Sequence, residues 1–167
     1  MAHDTRFVMQ QHDATTRHFD FRIEVDGVLR SWAVPKGPSL DPADKRLAVP
    51  VEDHSMQAGE FEGVHEGARR GTGAVIIWDR GTYHCPPERD GAASVAEALD
   101  RGHAVLELDG EKLRGRWALT RVATGSDERW VLVKTRDEFA QRGRDIVAER
   151  PESVVSGRTL DELAAGD

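Results

Sequence analysis

Residues 10–27 read QQHDATTRHFDFRIEVDG and carry the strongest structural signal in this chain. From His18 onward, apolar and polar side chains alternate with a period of two, which predicts a β-strand with one face in the core. The apolar face consists of Phe19, Phe21, Ile23 and Val25. Asp26-Gly27 follows as a two-residue hairpin turn, because both positions tolerate positive φ. The sequence therefore predicts that Val28–Val34 returns as the partner strand.

Similar alternation between turn residues recurs along the rest of the chain. Proline and glycine at 35–38 end the hairpin and open a loop. We predict further strands at 46–51, 74–79, 104–109, 113–121 and 130–134. Gly110 lies in the predicted turn between two of them. Many short strands with little helix indicate a mainly β fold, an antiparallel β-barrel with one or two short peripheral helices.

Helix signals are few. A short helix is predicted over 94–101, with Ser94 as its N-cap and Gly102 at its end. A second helix is predicted to begin near Asp137. After Arg144 the periodic pattern fades, so we divide the chain into a barrel domain, 1–144, and a C-terminal tail or linker, 145–167.

Composition excludes several classes of protein. No apolar run approaches the ~20 residues that span a bilayer, and the N-terminus MAHDTRFVMQ lacks the basic and apolar parts of a signal peptide. Cys85 is the only cysteine, which excludes an internal disulfide and indicates a cytoplasmic protein. The net charge of −7 argues against a protein that coats nucleic acid, although it leaves room for a local basic pocket.

The polar face of the predicted strand carries the residue types that bind metals and phosphates. His18, Asp20 and Arg22 share this face, and same-face neighbours lie roughly 6.6 Å apart along a strand. His12 precedes them across a short turn and is a candidate third ligand, because two imidazoles and a carboxylate leave positions open on a catalytic metal. The planar fork of Arg22 suits a phosphate beside the ion. The alternative is a solvated face of charged residues. The pattern by itself is compatible with both interpretations, a metal site and a solvated face.

Further candidates lie downstream. Glu52 and His54 are two residues apart on one predicted strand face, and Lys36 and Arg46 precede them. Together they could surround an oxyanion held by Arg22, whereas each alone has an ordinary structural interpretation. The stretch GARRGTG at 67–73 lacks the lysine of a phosphate-binding P-loop and is interpreted as a loop able to contact a nucleic-acid backbone.

The remaining aromatic and histidine residues have structural interpretations. The four tryptophans lie in strand runs and are predicted to belong to the core. Three further histidines show no convincing partners in the sequence: His65, His84 and His103.

Several stretches together resemble a known family. They are FVMQQHDATTRHFDFRIEVDGVLRSWAVPKGPSLDPADKRLAV, VEDHSM, FEGVHEG, GAVIIWDRGTY, LDGEKLRGRWALTR and WVLVKTRDEFA, in this order over about residues 7–140. The chain resembles the 3′-phosphoesterase domain of bacterial DNA ligase D, the end-repair ligase of non-homologous end joining. The segment ERPESVVSGRTLDELA resembles the linker that follows this domain in full-length ligase D.

The resemblance implies a metal-dependent enzyme on a β-barrel that removes a terminal ribonucleoside and then the 3′-phosphate. It implies metal ligands at His12, His18 and Asp20, with Mn²⁺ as the productive ion in a site that Co²⁺ or Zn²⁺ can also occupy. It places phosphate contacts at Arg22 and His54, and supporting residues at Gln10, Lys36, Arg46 and Glu52. The implied partners are DNA or DNA/RNA 3′ ends, DNA ligase and end-joining proteins, with the chain itself a monomer.

Two departures from the family pattern keep other functions open. The family usually has a tyrosine four residues after the active-site histidine, where this chain has Ala58, and only six residues precede Phe7 where ligase D carries an upstream leader. We expect these differences to weaken removal of the 3′-phosphate most. The alternatives are a non-catalytic DNA-end-binding module associated with a ligase, and a small-molecule metalloenzyme on the same barrel.

Overall fold

The computed structural model describes residues 5–65, 73–86 and 94–165. These residues form strands β1 (Thr5–Asp13), β2 (His18–Val25), β3 (Val28–Val34), β4 (Arg46–His54), β5 (Gly63–Val64), β6 (Ala74–His84), β7 (His103–Gly110), β8 (Arg114–Ala123) and β9 (Arg129–Lys134). The helices are α1 (Val95–Asp100), α2 (Ile146–Glu149) and α3 (Leu160–Ala164), and 3₁₀ turns lie at Met56–Glu60 and Gly125–Asp127. None of the helices described is long and apolar enough to cross a membrane.

Eight of the strands close into an antiparallel barrel. Their order is β1-β2-β3-β4-β9-β8-β7-β6, and β6 pairs back to β1, whereas β5 pairs only with β6 outside the ring. Closure leaves no free sheet edge in the ring. The prediction of a mainly β, antiparallel barrel is therefore confirmed, with three short helices in the described ranges rather than one or two.

The predicted hairpin sets the register of the first strands. Asp26 has φ of 51° and Gly27 has φ of 85°, as a two-residue hairpin turn with positive φ at both positions requires. The turn pairs Val25 with Val28, and counting back along both strands pairs Arg22 with Ser31. The strand alternation is also as predicted, because Phe19, Phe21 and Ile23 belong to the core cluster inside the barrel.

The other predicted strands are present with small extensions, but two strands were missed. β1 was not predicted, because Phe7, Val8 and Met9 are consecutive apolar residues and this run breaks the alternation of apolar and polar side chains. Phe7 and Met9 belong to the core cluster, whereas Val8 packs against the turn at Met56–Glu60. A Cβ at Gly59 would lie 3.1 Å from Val8 Cγ1 and 2.9 Å from Leu29 Cδ1, so this turn lies close against the barrel wall. β5, with two residues, is too short to show a period.

One helix prediction is confirmed and one is wrong. The Ser94 side chain accepts a hydrogen bond from the Glu97 amide, and Gly102 has φ of 86° just after α1. No helix begins at Asp137, because its carboxylate accepts hydrogen bonds from Lys134 Nζ (2.7 Å) and the Phe139 amide (2.9 Å) in a local turn. Such side-chain bonds compete with the helical pattern.

The segment predicted to be a tail or linker packs against the barrel over its described part. Ile146 and Leu160 are each 2% exposed, and the Trp78 indole donates to the Arg150 carbonyl (2.8 Å). The buried ammonium of Lys112 donates to the carbonyls of Arg150 and Glu152 and lies 4.3 Å from the Trp78 ring centroid. Long-range contacts of this kind leave no periodic signal in a short segment.

The four tryptophans form part of the core, as predicted. Trp32, Trp78, Trp117 and Trp130 are at most 2% exposed, and the rings of Trp32 and Trp130 meet edge to face at 5.6 Å. These large rings and the phenylalanines belong to the hydrophobic cluster that packs the interior of the barrel.

Candidate metal centre and phosphate site

A groove of about 380 Å³ lies on the outer face of the barrel. It is lined by residues from β1, β2, β4 and β6 and from the chain that follows β4: Gln10, His12, His18, Asp20, Arg22, Val51, Glu52, His54, Ala58, Phe61, His65 and Val75. On β2 the alternation that sends phenylalanines into the core sends His18, Asp20 and Arg22 into this groove. These polar side chains are not simply solvated, since Asp20 and Arg22 are 6% and 8% exposed.

Three potential metal ligands meet at one end of the groove. The β1–β2 register places His12 directly opposite His18, with ring centroids 5.2 Å apart. His18 Nε2 lies 3.1 Å from Asp20 Oδ1. One ligand atom from each of His12, His18 and Asp20 lies within 4.8 Å of the other two. Two imidazoles and a carboxylate form a donor set that fits a divalent transition metal and leaves coordination positions for substrate.

The two histidines of this cluster have different electrostatic environments. Burial lowers the pKa of His12, and the neighbouring His18 lowers it further. The hydrogen bond to Asp20 raises the pKa of His18, whose Nδ1 also lies 3.1 Å from the Thr16 carbonyl. Without an ion, His12 is therefore the more readily neutral ligand, whereas Asp20 favours a proton on His18.

We expect divalent-ion affinity to fall as the pH is lowered, because an ion must displace the proton that Asp20 favours on His18. Well below the pKa of His18, about one proton leaves its imidazole per ion bound, so the dissociation constant should rise about tenfold per pH unit. Calorimetric titration with Mn²⁺ in buffers of different ionisation enthalpy counts the released protons. An affinity that does not change between about pH 5 and about pH 8 would contradict this linkage.

A guanidinium occupies the centre of the groove. Arg22 Nε donates to Gln10 Oε1 (2.7 Å), and Nη1 donates to Ser31 Oγ (2.9 Å). Nη2 lies 3.4 Å from Asp20 Oδ2. Asp20 therefore contacts His18 with one oxygen and Arg22 with the other. This carboxylate joins the three potential metal ligands, called the metal cluster below, to the Arg22 guanidinium. Ser31 was missed by the sequence analysis, although its pairing with Arg22 follows from counting back from the hairpin turn.

Gln10 connects this guanidinium to the chain that follows β4. Its side-chain nitrogen donates to the carbonyls of Ala58 and Phe61, both at 3.0 Å. Its oxygen accepts from Arg22, so one amide orients the cation and anchors the turn at Met56–Glu60. The supporting role of Gln10 in the reaction stays a prediction.

Glu52 and His54 reach the same groove from the end of β4. His54 Nδ1 lies 3.0 Å from Arg22 Nη1 and 2.9 Å from the Glu52 carbonyl. These contacts engage Nδ1 and leave Nε2 as the ring nitrogen for a ligand. An anion between His54 and Arg22 would meet N–H groups of both side chains, beside the potential ligands of a metal ion.

Two predicted site residues do not line this groove. Lys36 is exposed in the loop after β3, where a turn is closed by the Gly37 amide on the Val34 carbonyl (3.1 Å). Arg46 begins β4 and lies 3.8 Å from Asp44, six residues before Glu52, which is about 20 Å along an extended strand. The lining of this groove therefore does not include Lys36 or Arg46, and their supporting role stays a prediction.

Two aromatic residues were not predicted as site residues. Phe61 and His65 line the groove, their rings are stacked 4.5 Å apart, and His65 lies 6.0 Å from the His12 ring. The interpretation of His65 as a histidine without partners is therefore wrong. The sequence holds no local signal for this contact, because it depends on the path of the chain after β4. The stretch GARRGTG lies outside the described residues except for Gly73.

Comparison with known proteins gives consistent matches. The family model described as DNA Ligase D 3′-phosphoesterase domain matches residues 10–121. The chain is 50% identical over 158 residues to the multifunctional non-homologous end joining protein LigD of Pseudomonas aeruginosa, which covers 93% of this chain and 18% of that protein. It is 37% identical over 136 residues to the multifunctional non-homologous end joining DNA repair protein LigD of Mycobacterium tuberculosis, covering 81% of this chain and 17% of that protein.

The chain thus spans less than a fifth of the length of these relatives. The family match includes all three potential metal ligands, the Arg22 guanidinium with its Gln10 and Ser31 partners, and His54. This chain belongs to the DNA ligase D 3′-phosphoesterase domain family.

Proposed function

We propose that this chain is a metal-dependent phosphoesterase that processes nucleic-acid 3′ ends in end joining, removing a terminal ribonucleoside and then the 3′-phosphate. One observation carries the proposal: Asp20 contacts both His18 (3.1 Å) and Arg22 (3.4 Å). A phosphate in the groove can therefore meet an ion and a guanidinium at the same time. The family membership supports the same assignment.

We propose Mn²⁺ as the productive ion, with Co²⁺ or Zn²⁺ as alternative occupants of His12, His18 and Asp20. When bound, the ion polarises a phosphoryl oxygen and supplies an activated water. Arg22 stabilises the negative charge that develops on the phosphoryl group, because its position is fixed before substrate arrives. His54 binds a phosphate oxygen or protonates the leaving oxygen through Nε2, since its Nδ1 is engaged by Arg22 and Glu52.

The experiment that tests the proposal is digestion of a labelled primer-template that ends in one ribonucleotide, beside the same primer ending in a 3′-phosphate. We expect shortening of the first substrate and dephosphorylation of the second with Mn²⁺, and neither reaction after chelation. Binding of both ends without any turnover would instead support the non-catalytic end-binding module. That second candidate rests on Ala58, where the family usually has a tyrosine.

The proposed partners follow from the relatives. Their names describe multifunctional non-homologous end joining proteins, and this chain matches less than a fifth of their length. We therefore propose that DNA ligase and other end-joining proteins act together with this chain on DNA or DNA/RNA 3′ ends. The chain is proposed to act as a monomer, because one copy supplies the whole groove.

Installing the tyrosine, Ala58→Tyr, is expected to speed removal of the 3′-phosphate by roughly ten- to a hundredfold. A hydrogen bond to a charged group contributes about 1.5–3 kcal/mol, and each 1.4 kcal/mol changes a rate about tenfold. Ala58 lines the groove, and only its backbone carbonyl is used to hold Gln10, so the side chain can change without breaking that bond. Both steps are measured under Mn²⁺ on the two primers described above.

Ala58→Phe is the matched control, because it adds the ring without the hydroxyl. If Ala58→Tyr removes the 3′-phosphate faster than the wild type and Ala58→Phe does not, the result supports the view that this groove lacks the hydrogen-bond donor of the tyrosine. Equal rates for the wild type and Ala58→Tyr would show that another donor has replaced the tyrosine in this groove.

A further inference from the structure

The ring pair formed by Phe61 and His65 has no part in the proposed chemistry, yet it borders the metal cluster. The two rings are nearly parallel, at 16° and 4.5 Å between centroids. His65 is exposed, and its ring meets His12 edge to face at 6.0 Å. A flat aromatic surface therefore stands beside the place where a phosphate would meet the metal.

We propose that His65, supported by Phe61, is the stacking surface for the terminal nucleobase of the 3′ end. The proposal rests on the proposed function, because it assigns a binding surface, the ring pair of His65 and Phe61, to one part of the nucleic-acid substrate. A nucleotide whose phosphate lies at Arg22 and Asp20 carries its base one sugar away, within the same groove. Aromatic stacking accepts every base, because each has a π-face, so the platform confers affinity without strong sequence preference.

The backbone around the ring pair is fixed from several sides. The His65 amide donates to the Gly73 carbonyl (3.1 Å), and the Phe61 carbonyl accepts from Gln10 (3.0 Å). Between them, the Glu62 carboxylate accepts from the Ile77 amide (2.8 Å) on β6. A platform held in this way loses little conformational entropy when a base stacks on it.

The geometry favours a platform over a fourth metal ligand. The compact ligand set is His12, His18 and Asp20, and His65 is not part of the group whose ligand atoms lie within 4.8 Å of one another. The plane of its ring is set by the Phe61 ring beneath it. To join this ligand set, the His65 imidazole would have to move closer to at least one of the three ligands.

The test compares His65→Ala and His65→Phe with the wild type on two primers, one ending in a normal ribonucleotide and one ending in a ribose without a base. We expect His65→Ala to weaken binding of the base-bearing end by roughly 5- to 150-fold, with little change in kcat. Binding of the abasic end should be unchanged. His65→Phe should restore affinity, because it keeps a ring and removes both nitrogens. His103→Ala, an exposed histidine on β7, is the matched control.

Binding of both primers is read from the fluorescence anisotropy of a label at the 5′ end in the presence of a chelator, and quenching of a terminal 2-aminopurine reports stacking on the base-bearing end, so neither readout requires turnover. Quenching that is lost in His65→Ala and regained in His65→Phe supports the platform, even if the wild type proves inactive and the proposed function fails. Equal losses on both primers, or failure of phenylalanine to restore affinity, would overturn it.

Discussion

Replacing Asp20 by asparagine is expected to lower turnover by at least about a thousandfold, which corresponds to about 4 kcal/mol of transition-state stabilisation. Asp20 is 6% exposed, and its two oxygens contact His18 and Arg22. Asparagine keeps the shape of the side chain but removes the negative charge that attracts the ion and balances the guanidinium. Both effects act on the same phosphate, so the loss combines the contribution of the ion with that of the guanidinium.

Turnover is measured by the digestion assay and Mn²⁺ binding by calorimetric titration. We expect both turnover and Mn²⁺ binding to be lost in Asp20→Asn. Glu24→Gln is the matched control, since Glu24 is the next same-face residue after Arg22 on β2 and is 7% exposed but does not line the groove. Its Mn²⁺ affinity and activity should match those of the wild type. Wild-type Mn²⁺ affinity in Asp20→Asn would show that the ion is held elsewhere.

The second large effect is expected at Arg22, where Arg22→Ala should abolish turnover but leave metal binding nearly intact. For Arg22→Lys we expect a loss of roughly a hundred- to a thousandfold in kcat, the range typical for removal of one preorganised donor. Lysine keeps the charge but cannot reproduce the bonds from Nε to Gln10 and from Nη1 to Ser31. Arg22→Ala removes the charge as well and should be more severe.

The control for Arg22 is Ser31→Ala, which removes one anchor of the guanidinium and keeps its charge. A smaller loss of kcat is expected there, with unchanged Mn²⁺ titration. If Arg22→Lys loses Mn²⁺ affinity in proportion to its activity, Arg22 supports the metal cluster and does not act on the phosphate. Unfolding in urea, measured for each variant, separates these outcomes from loss of the folded state.

Much of the site was predictable because strand periodicity is local. The alternation from His18 to Val25 assigns the phenylalanines to the core and His18, Asp20 and Arg22 to the opposite face. The hairpin turn at Asp26-Gly27 then sets the pairing of Arg22 with Ser31. These relations follow from a few neighbouring residues and survive in the folded chain. Assigning the predicted residues to a metal and a phosphate remains a proposal for the experiments above.

Other features depended on contacts between residues far apart in sequence. Lys36 and Arg46 carry suitable charges, but neither of them lines the groove. Conversely, His65 has no periodic neighbour that would indicate a role, yet the chain after β4 folds back to stack it on Phe61 beside His12.

The β class, the first hairpin and the faces of its strands follow from short stretches of sequence, because side-chain direction in a strand reverses at every residue. Two further features emerge only in the folded chain: β6 pairs with β1 to close the barrel, and the segment from Ile146 packs against it. Folding also brings His12 to His18 and lets Gln10 link Arg22 to the turn after β4. Each of these contacts depends on the free energy of the whole packed chain, which no short stretch encodes.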